Sequence, residues 1–401
     1  MKIILHLSLL VVIIAGCSSA KQGKNDLASI NIRINYPDKE IILTDIADIS
    51  YVSLNSDSDD YLYSGGIRYV TQSTIVIYDY SSGSILFFSK DGKPKSRFNH
   101  RGRGPGEYID IRQIVYDEIT DEVYITDLSP YIEYIQVYSS TGNYIRKITV
   151  PNTSIGSIIN FDEQSLLVYN ERYELAKNSK NSGIVLFPNK SENSHSSPFL
   201  LISKTDGKIL DYIDIPQNDI VLKIDGNNHQ SWFPARRVIK CIEGALLCHP
   251  EVDTVFLYSK DKSIAPVIHK TPLVSDSDPM IVLNNCMDAG KYQFLEIVTL
   301  ARNEDKNSST RYPTKYYVRD KNGGKVFQQK SILPEYAGKE FSITGASRSD
   351  IDHKNEIYIR LSLTELKQAY SENKLSGKLK DLVTTLKDDD NDVIMFINFK
   401  E

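Results

Sequence analysis

Two short stretches hold the side chains best suited to chemistry. His100-Arg101-Gly102-Arg103-Gly104-Pro105-Gly106-Glu107-Tyr108 sets an imidazole and two guanidiniums among glycines. Arginine forks match carboxylates and phosphates, so His100, Arg101 and Arg103 are candidates for holding an anionic ligand. The glycines are not a dinucleotide fingerprint, which needs its third Gly three positions after the second, between a strand and a helix. Here Gly106 follows Gly104 by two, and the next segment, Ile109 to Tyr116, is strand-like. The other reading of this stretch is a tight crossover that packs Tyr108 down. Trp232-Phe233 with Arg236-Arg237 is the second cluster. A ring face suits sugars and a guanidinium suits acidic groups, so Trp232 and Arg236 are candidates too. The competing reading buries Trp232 at the start of a strand.

Other patterns exclude more than they offer. Asp388-x-Asp390-x-Asp392 begins like a calcium loop, but Val393 stands where Gly is needed and Phe399 where Glu is needed. It reads as a solvated turn. Seven histidines form no HExxH, so no zinc site is legible. No Gly-x-Ser-x-Gly elbow, P-loop or catalytic residue is readable. Cys241, Cys248 and Cys286 are expected as packed free thiols; the alternative is that Cys241 and Cys248, which flank a turn near Gly244, face each other across a hairpin, a matter of turn register that the sequence does not fix.

The elements that must position these residues are strands. The 401 residues are 41% hydrophobic and 25% charged, an ordinary globular balance, and 25 tyrosines favour strands. Fifty-two acids against 47 bases give no basic face for nucleic acid. Runs such as Ile75 to Asp79, Val123 to Asp127 and Glu356 to Ile359 are bounded by Gly, Asp, Asn and Ser. Turns are expected at Asp91-Gly92, Thr141-Gly142-Asn143, Asp206-Gly207 and Asn322-Gly323, where φ > 0 is needed. Gly92 and Gly142 lie 50 positions apart, and Asp79 and Asp127 lie 48 apart. That period is the mark of a propeller, whose four-stranded sheets bury their faces only against one another.

Six units are expected: 67–97, 111–150, 155–216, 232–268, 292–333 and 341 to the C-terminus. Ile46 to Leu54 is expected to complete the last blade. Polar loop growths fall at 178–197 and 303–309. Ser362 and Glu365 have capping-box spacing, and Leu375, Leu379, Leu382 and Leu386 share one helical face. A helical insertion over about 362–387, broken near Asn373 and weakened by Gly377, is therefore expected in the last blade, packed on its own ring.

The N-terminus gives an address. Lys2, the apolar run Ile3 to Ala15 and a small-residue end make a secretory signal. Ile14-Ala15-Gly16-Cys17 resembles a bacterial lipobox. The resemblance implies a signal peptide over 1–16, lipid on Cys17, a tether over 17–40 and the propeller over 41–401. By analogy with lipoprotein sorting, Ser18 implies the outer membrane, facing the periplasm.

Arg101 to Tyr108, Val252 to Phe256 and Asn391 to Lys400 carry a wider resemblance. They resemble the six-bladed β-propeller lipoproteins of Gram-negative gut commensals, related to NHL-type propellers. The resemblance implies an all-β six-bladed ring in the envelope and no established reaction. The expected function is a binding or scaffold module for a protein, a small molecule or a carbohydrate. The alternative is a lactonase-like or lyase-like enzyme using Ca²⁺ held at the axis by carboxylates from several blades.

Overall fold

A propeller blade has two faces, and each strand of it must serve both. The computed structural model of the chain describes residues 27–55, 58–128, 132–172, 197–216, 222, 236–301, 312–351 and 355–400. The chain opens with β1 (Ala28–Asn31), β2 (Asp38–Ile42), a one-turn helix α1 (Leu43–Ile46) and β3 (Ala47–Ser53). Blade one is β4 (Gly65–Val70), β5 (Thr74–Asp79), β6 (Ile85–Ser89) and β7 (Pro94–Phe98). Blade two is β8 (Ile111–Asp117), β9 (Glu122–Asp127), β10 (Tyr134–Tyr138) and β11 (Tyr144–Thr149). Blade three is β12 (Ile155–Asn160), β13 (Ser165–Asn170), β14 (Phe199–Ser203) and β15 (Ile209–Ile213). Blade four is β16 (Val238–Cys241), β17 (Gly244–Leu247), β18 (Thr254–Ser259) and β19 (Ile264–Thr271). Blade five is β20 (Ile281–Ala289), β21 (Tyr292–Thr299), β22 (Thr314–Asp320) and β23 (Val326–Ile332), with β24 (Glu340–Phe341) against β23. Blade six is β25 (Ser347–Arg348), β26 (Glu356–Leu361) and β27 (Val393–Phe399). Helices α2 (Leu363–Ser371) and α3 (Gly377–Thr385) are inserted between its last two strands. The fold is a six-bladed β-propeller.

Strands pair in chain order within each blade, and the first strands of neighbouring blades approach one another around the axis. β3 pairs antiparallel with β27, Ile49 opposite Ile397, so the N-terminal strand closes the last blade as expected. β1 and β2 add themselves in parallel to β19 and β23, as fifth strands of blades four and five. The ring thus takes in residues from Ala28 onward, earlier than the expected boundary at 41. Blade five begins at β20, before the expected 292, because the polar pair Asn284-Asn285 interrupts the apolar run. Phe341 belongs to blade five, and blade six begins at Ser347.

Alternation along the buried strands builds the core. Ile75 and Ile77 of β5 pack toward blade six, while Val76 and Tyr78 pack toward blade two. Leu166 and Val168 of β13 face blade two, and Leu167 and Tyr169 face blade four. Gly92, Gly142 and Gly207 have φ of 88°, 90° and 75°, as the hairpin turns require. In the fourth expected turn the left-handed residue is Gly324 (φ 66°) and not Gly323.

Leu366, Leu375, Leu379 and Val383 seat α2 and α3 on blades five and six beside Tyr336, Phe341 and Phe399. Each fully buried side chain of this size contributes about 1.5–3 kcal/mol. Asn373 (φ 57°) and Gly377 (φ 55°) break the two helices apart. The expected capping box does not form: Ser362 makes no side-chain cap. Asp392 accepts the Leu363 amide at 2.7 Å, and Glu365 pairs with Lys339 at 2.8 Å.

Candidate functional site

The end of the ring at which the first strands begin, here the upper face, carries the crossover of 99–110 and both C-terminal helices. Tyr108 holds the crossover down. Its hydroxyl donates to the Gly83 carbonyl at 2.8 Å and accepts the His100 amide at 3.1 Å. The Glu107 carboxylate accepts the Gly104 amide at 2.7 Å, and a Cβ on Gly102 would come within 1.9 Å of that carboxylate. The glycines are there for close approach. Arg101 donates to the carbonyls of Ile109, Tyr80 and Ser81 at 3.3–3.5 Å. His100 contacts the Gly142 carbonyl at 2.6 Å and stacks on Tyr138. Both residues thus brace the loop. Arg103 is exposed. Cys17 and Trp232 lie outside the described residues.

Arg236 stands just before β16, yet its guanidinium donates to the carbonyls of Gly345, at 2.9 Å, and Ala346, in front of β25. It spans the upper mouth from blade four to blade six, and burial lowers its pKa from the ordinary arginine value. Of the candidates among the described residues, the structure therefore keeps His100, Arg101 and Arg103 on the crossover of 99–110 and sets Arg236 apart from them, against the carbonyls before β25.

The first strands share a local irregularity. β4, β8, β12 and β20 each carry a bulge, leaving Arg68, Arg112, Gly156 and Asn284 as the extra residues. Bulges re-aim side chains. Arg112 pairs with Glu171 of the next blade at 2.6 Å, and Asn284 donates to Glu296. At the lower ends of the first strands four blades converge on Asp350. It accepts from Tyr69 at 2.5 Å and Asn160 at 3.1 Å, and it pairs with Lys240. Burial and the adjacent carboxylate push the Tyr69 hydroxyl well above its usual range. These donors do not fit the axial Ca²⁺ considered above: among the described residues no three His, Cys, Asp or Glu side chains gather. The converging carboxylate is already matched by an ammonium.

Between blades six and one the upper face opens into a cleft of about 640 Å³. Gly65 to Ile67 form one side, with Tyr80; Tyr336, Phe341 and Tyr358 supply further aromatic surface. Its charged groups are internally matched: Lys339 with Glu365, Glu340 with Lys330 and Arg360 with Asp392. A smaller hollow of about 500 Å³ adjoins it through Gly65 and Arg360. Sequence reasoning did not find this cleft. Its lining is drawn from residues 65–80 and 336–366, which only ring closure brings together, so no local pattern marked it.

Cys241, Cys248 and Cys286 are free, buried and in one cluster between blades four and five. Cys241 is in register with Gly244, not Cys248. Burial pushes the Cys241 and Cys248 thiols up to about 12.

Among the described residues no helix is long and apolar enough to cross a membrane. A family described as "Domain of unknown function (DUF4934)" matches residues 27–398. No curated protein matches. A candidate exported protein of Bacteroides fragilis NCTC 9343 is similar at 15% identity over 94% of this chain and 100% of its own, with a TM-score of 0.63. A DUF4221 family member of Bacteroides vulgatus ATCC 8482 is similar at 10% identity over 88% and 97%, with a TM-score of 0.50. At such identities the likeness speaks for the fold alone.

Proposed function

We propose that this chain, which belongs to the DUF4934 family, is a lipid-anchored envelope protein whose ring binds a ligand or partner at the seam of blades six and one. The observation that carries the reading is the cleft of about 640 Å³, with Tyr80, Tyr336 and Tyr358 around it. Concave sites lined by aromatics with a few polar groups are the usual form of a binding site. The charges at its rim are already matched, which favours recognition by shape and stacking over proton transfer.

The address rests on the first seventeen residues, and the candidate exported protein of B. fragilis is in keeping with it. Outer-membrane attachment facing the periplasm is the position proposed. Several acyl chains on Cys17 would anchor firmly, at about 0.8 kcal/mol per buried CH₂.

Two experiments test the two halves. Cys17→Ala is expected to lose its acyl mass and move from the membrane to the soluble fraction; a variant that stays acylated and membrane-bound refutes the anchor. For the cleft, Ser342→Trp places a large ring at the rim. Any ligand found by thermal-shift screening of wild type is expected to lose at least tenfold in affinity, with the melting curve unchanged. Undiminished binding moves the site elsewhere on the ring.

A further inference from the structure

We propose that the lower outer corner of blade four rests, at headgroup depth, on the bilayer that the lipid of Cys17 enters. The inference rests on the lipid-anchor reading above and names the surface of the ring that meets the membrane.

The start of β1 selects this corner. β1 runs parallel to β19, and its first pair is Ala28 with Ile268. Leu27 stands one residue earlier and is 44% exposed. Ten residue steps separate Cys17 from Leu27, and an extended chain covers at most about 36 Å in ten. The wall beside Leu27 therefore stays within that reach of the lipid, where even a weak surface affinity acts at high effective concentration.

That wall has the make-up of an interfacial surface. β19 starts at Ile264, whereas β1 joins it only at Ile268. Ile264, Ala265 and Pro266 are all exposed, Ile264 at 43%. A run of apolar residues thus lies uncovered next to Leu27. The turn before it, Lys260-Asp261-Lys262-Ser263, is the lower tip of the blade. Lys262 is exposed, and its ammonium has no ion pair among the described residues. Asp261 turns back on the chain, accepting the Ser263 amide at 3.0 Å and its hydroxyl at 2.7 Å. A cation at the tip with apolar side chains behind it matches anionic headgroups over acyl chains.

The uncovered edge of β19 sets the depth. Open backbone groups are not tolerated in hydrocarbon, but water and headgroups can meet them. Pro266 has no amide to leave open. Contact at the lower rim leaves the upper-face cleft open to the aqueous side.

The test uses full-length acylated protein in vesicles of phosphatidylethanolamine and phosphatidylglycerol, with brominated acyl chains as the fluorescence quencher. Ile264→Trp adds an indole at the proposed contact, and Leu128→Trp adds one at an exposed position on the upper face of blade two. Intact mass establishes acylation of each variant. The emission added by Ile264→Trp is expected to fall at least twofold in brominated against unbrominated vesicles, and that added by Leu128→Trp to stay unchanged. Lys262→Glu, introduced beside Ile264→Trp, is expected to remove at least half of the quenching. Acylated, vesicle-bound protein in which the two added indoles are quenched alike, or not at all, overturns the contact while the anchor stands. A chain without acyl mass refutes the anchor, and the contact with it.

Discussion

Tyr108 shows how much one hydroxyl can organise. It is fully buried, and its oxygen joins the Gly83 carbonyl to the His100 amide across the crossover. Tyr108→Phe leaves both without that partner, at an expected cost of about 1–3 kcal/mol in urea denaturation; unchanged stability would mean the crossover stands without it. Asp117 and Lys204 pair at 2.6 Å between blades two and three with side chains only 4% and 5% exposed. Burial works against the Asp117 carboxylate, but the Lys204 ammonium and the Ile119 and Thr120 amides outweigh it and hold its pKa below the ordinary value. A lowered carboxyl pKa stabilises the fold at neutral pH, and that contribution is lost as pH falls through the folded-state value. Lys204→Met removes the compensating charge and is expected to cost about 3–5 kcal/mol at pH 7. Burial then raises the Asp117 pKa, so the deficit is expected to narrow between pH 7 and about 4. A deficit that widens on acidification contradicts the pairing.

Elements here are stabilised by residues distant in the chain. The amide of Leu363 at the start of α2 is met by Asp392, 29 positions away, and Asp392 also pairs with Arg360 at 3.2 Å. Asp392→Ala is expected to cost about 0.5–2 kcal/mol, the range for a lost cap. Ser362→Ala is expected to cost little, because that hydroxyl caps nothing. Thermal melts of the two variants check this directly, and equal losses would restore the capping-box reading. The bulges argue similarly. One extra residue in a first strand decides whether a side chain stays in the sheet or turns toward a neighbouring blade.

The whole molecule depends on closure. β3 joins the two ends of the chain along seven paired positions, from Ala47 with Phe399 to Ser53 with Val393. β1 and β2 only add fifth strands to blades that already have four. A chain lacking residues 1–42 is therefore expected to fold with a lower Tm. It loses Ile30 and Ile41, worth about 1.5–3 kcal/mol each. A chain lacking residues 1–54 leaves β27 as an open edge and is expected to show no cooperative melt by near-UV circular dichroism. If both truncations melt alike, closure by β3 is not what holds the ring. Asp350 makes the same point at the lower mouth, where blades one, three, four and six meet on one carboxylate.

Six units, three of the four expected left-handed turn glycines and the closing strand were legible because each depends on near neighbours. Period-two alternation and φ > 0 belong to a few consecutive residues, and the Ile46 to Leu54 run had no other sheet to complete. Blade five's first strand was missed for the converse reason, since its bulge sets Asn284 and Asn285 inside the apolar pattern. Only the tertiary structure decided the site. Tyr69 and Asp350 are 281 positions apart, and Asn160 and Asp350 are 190 apart. Arg68 and Arg112 look alike in sequence, yet Arg112 meets Glu171 on the next blade, while Arg68, at the same place in its own blade, lies over the rings of Tyr78 and Tyr80. Local pattern makes a blade, but a charge is matched or left open only by what the adjacent blade brings beside it, and ring closure sets that adjacency.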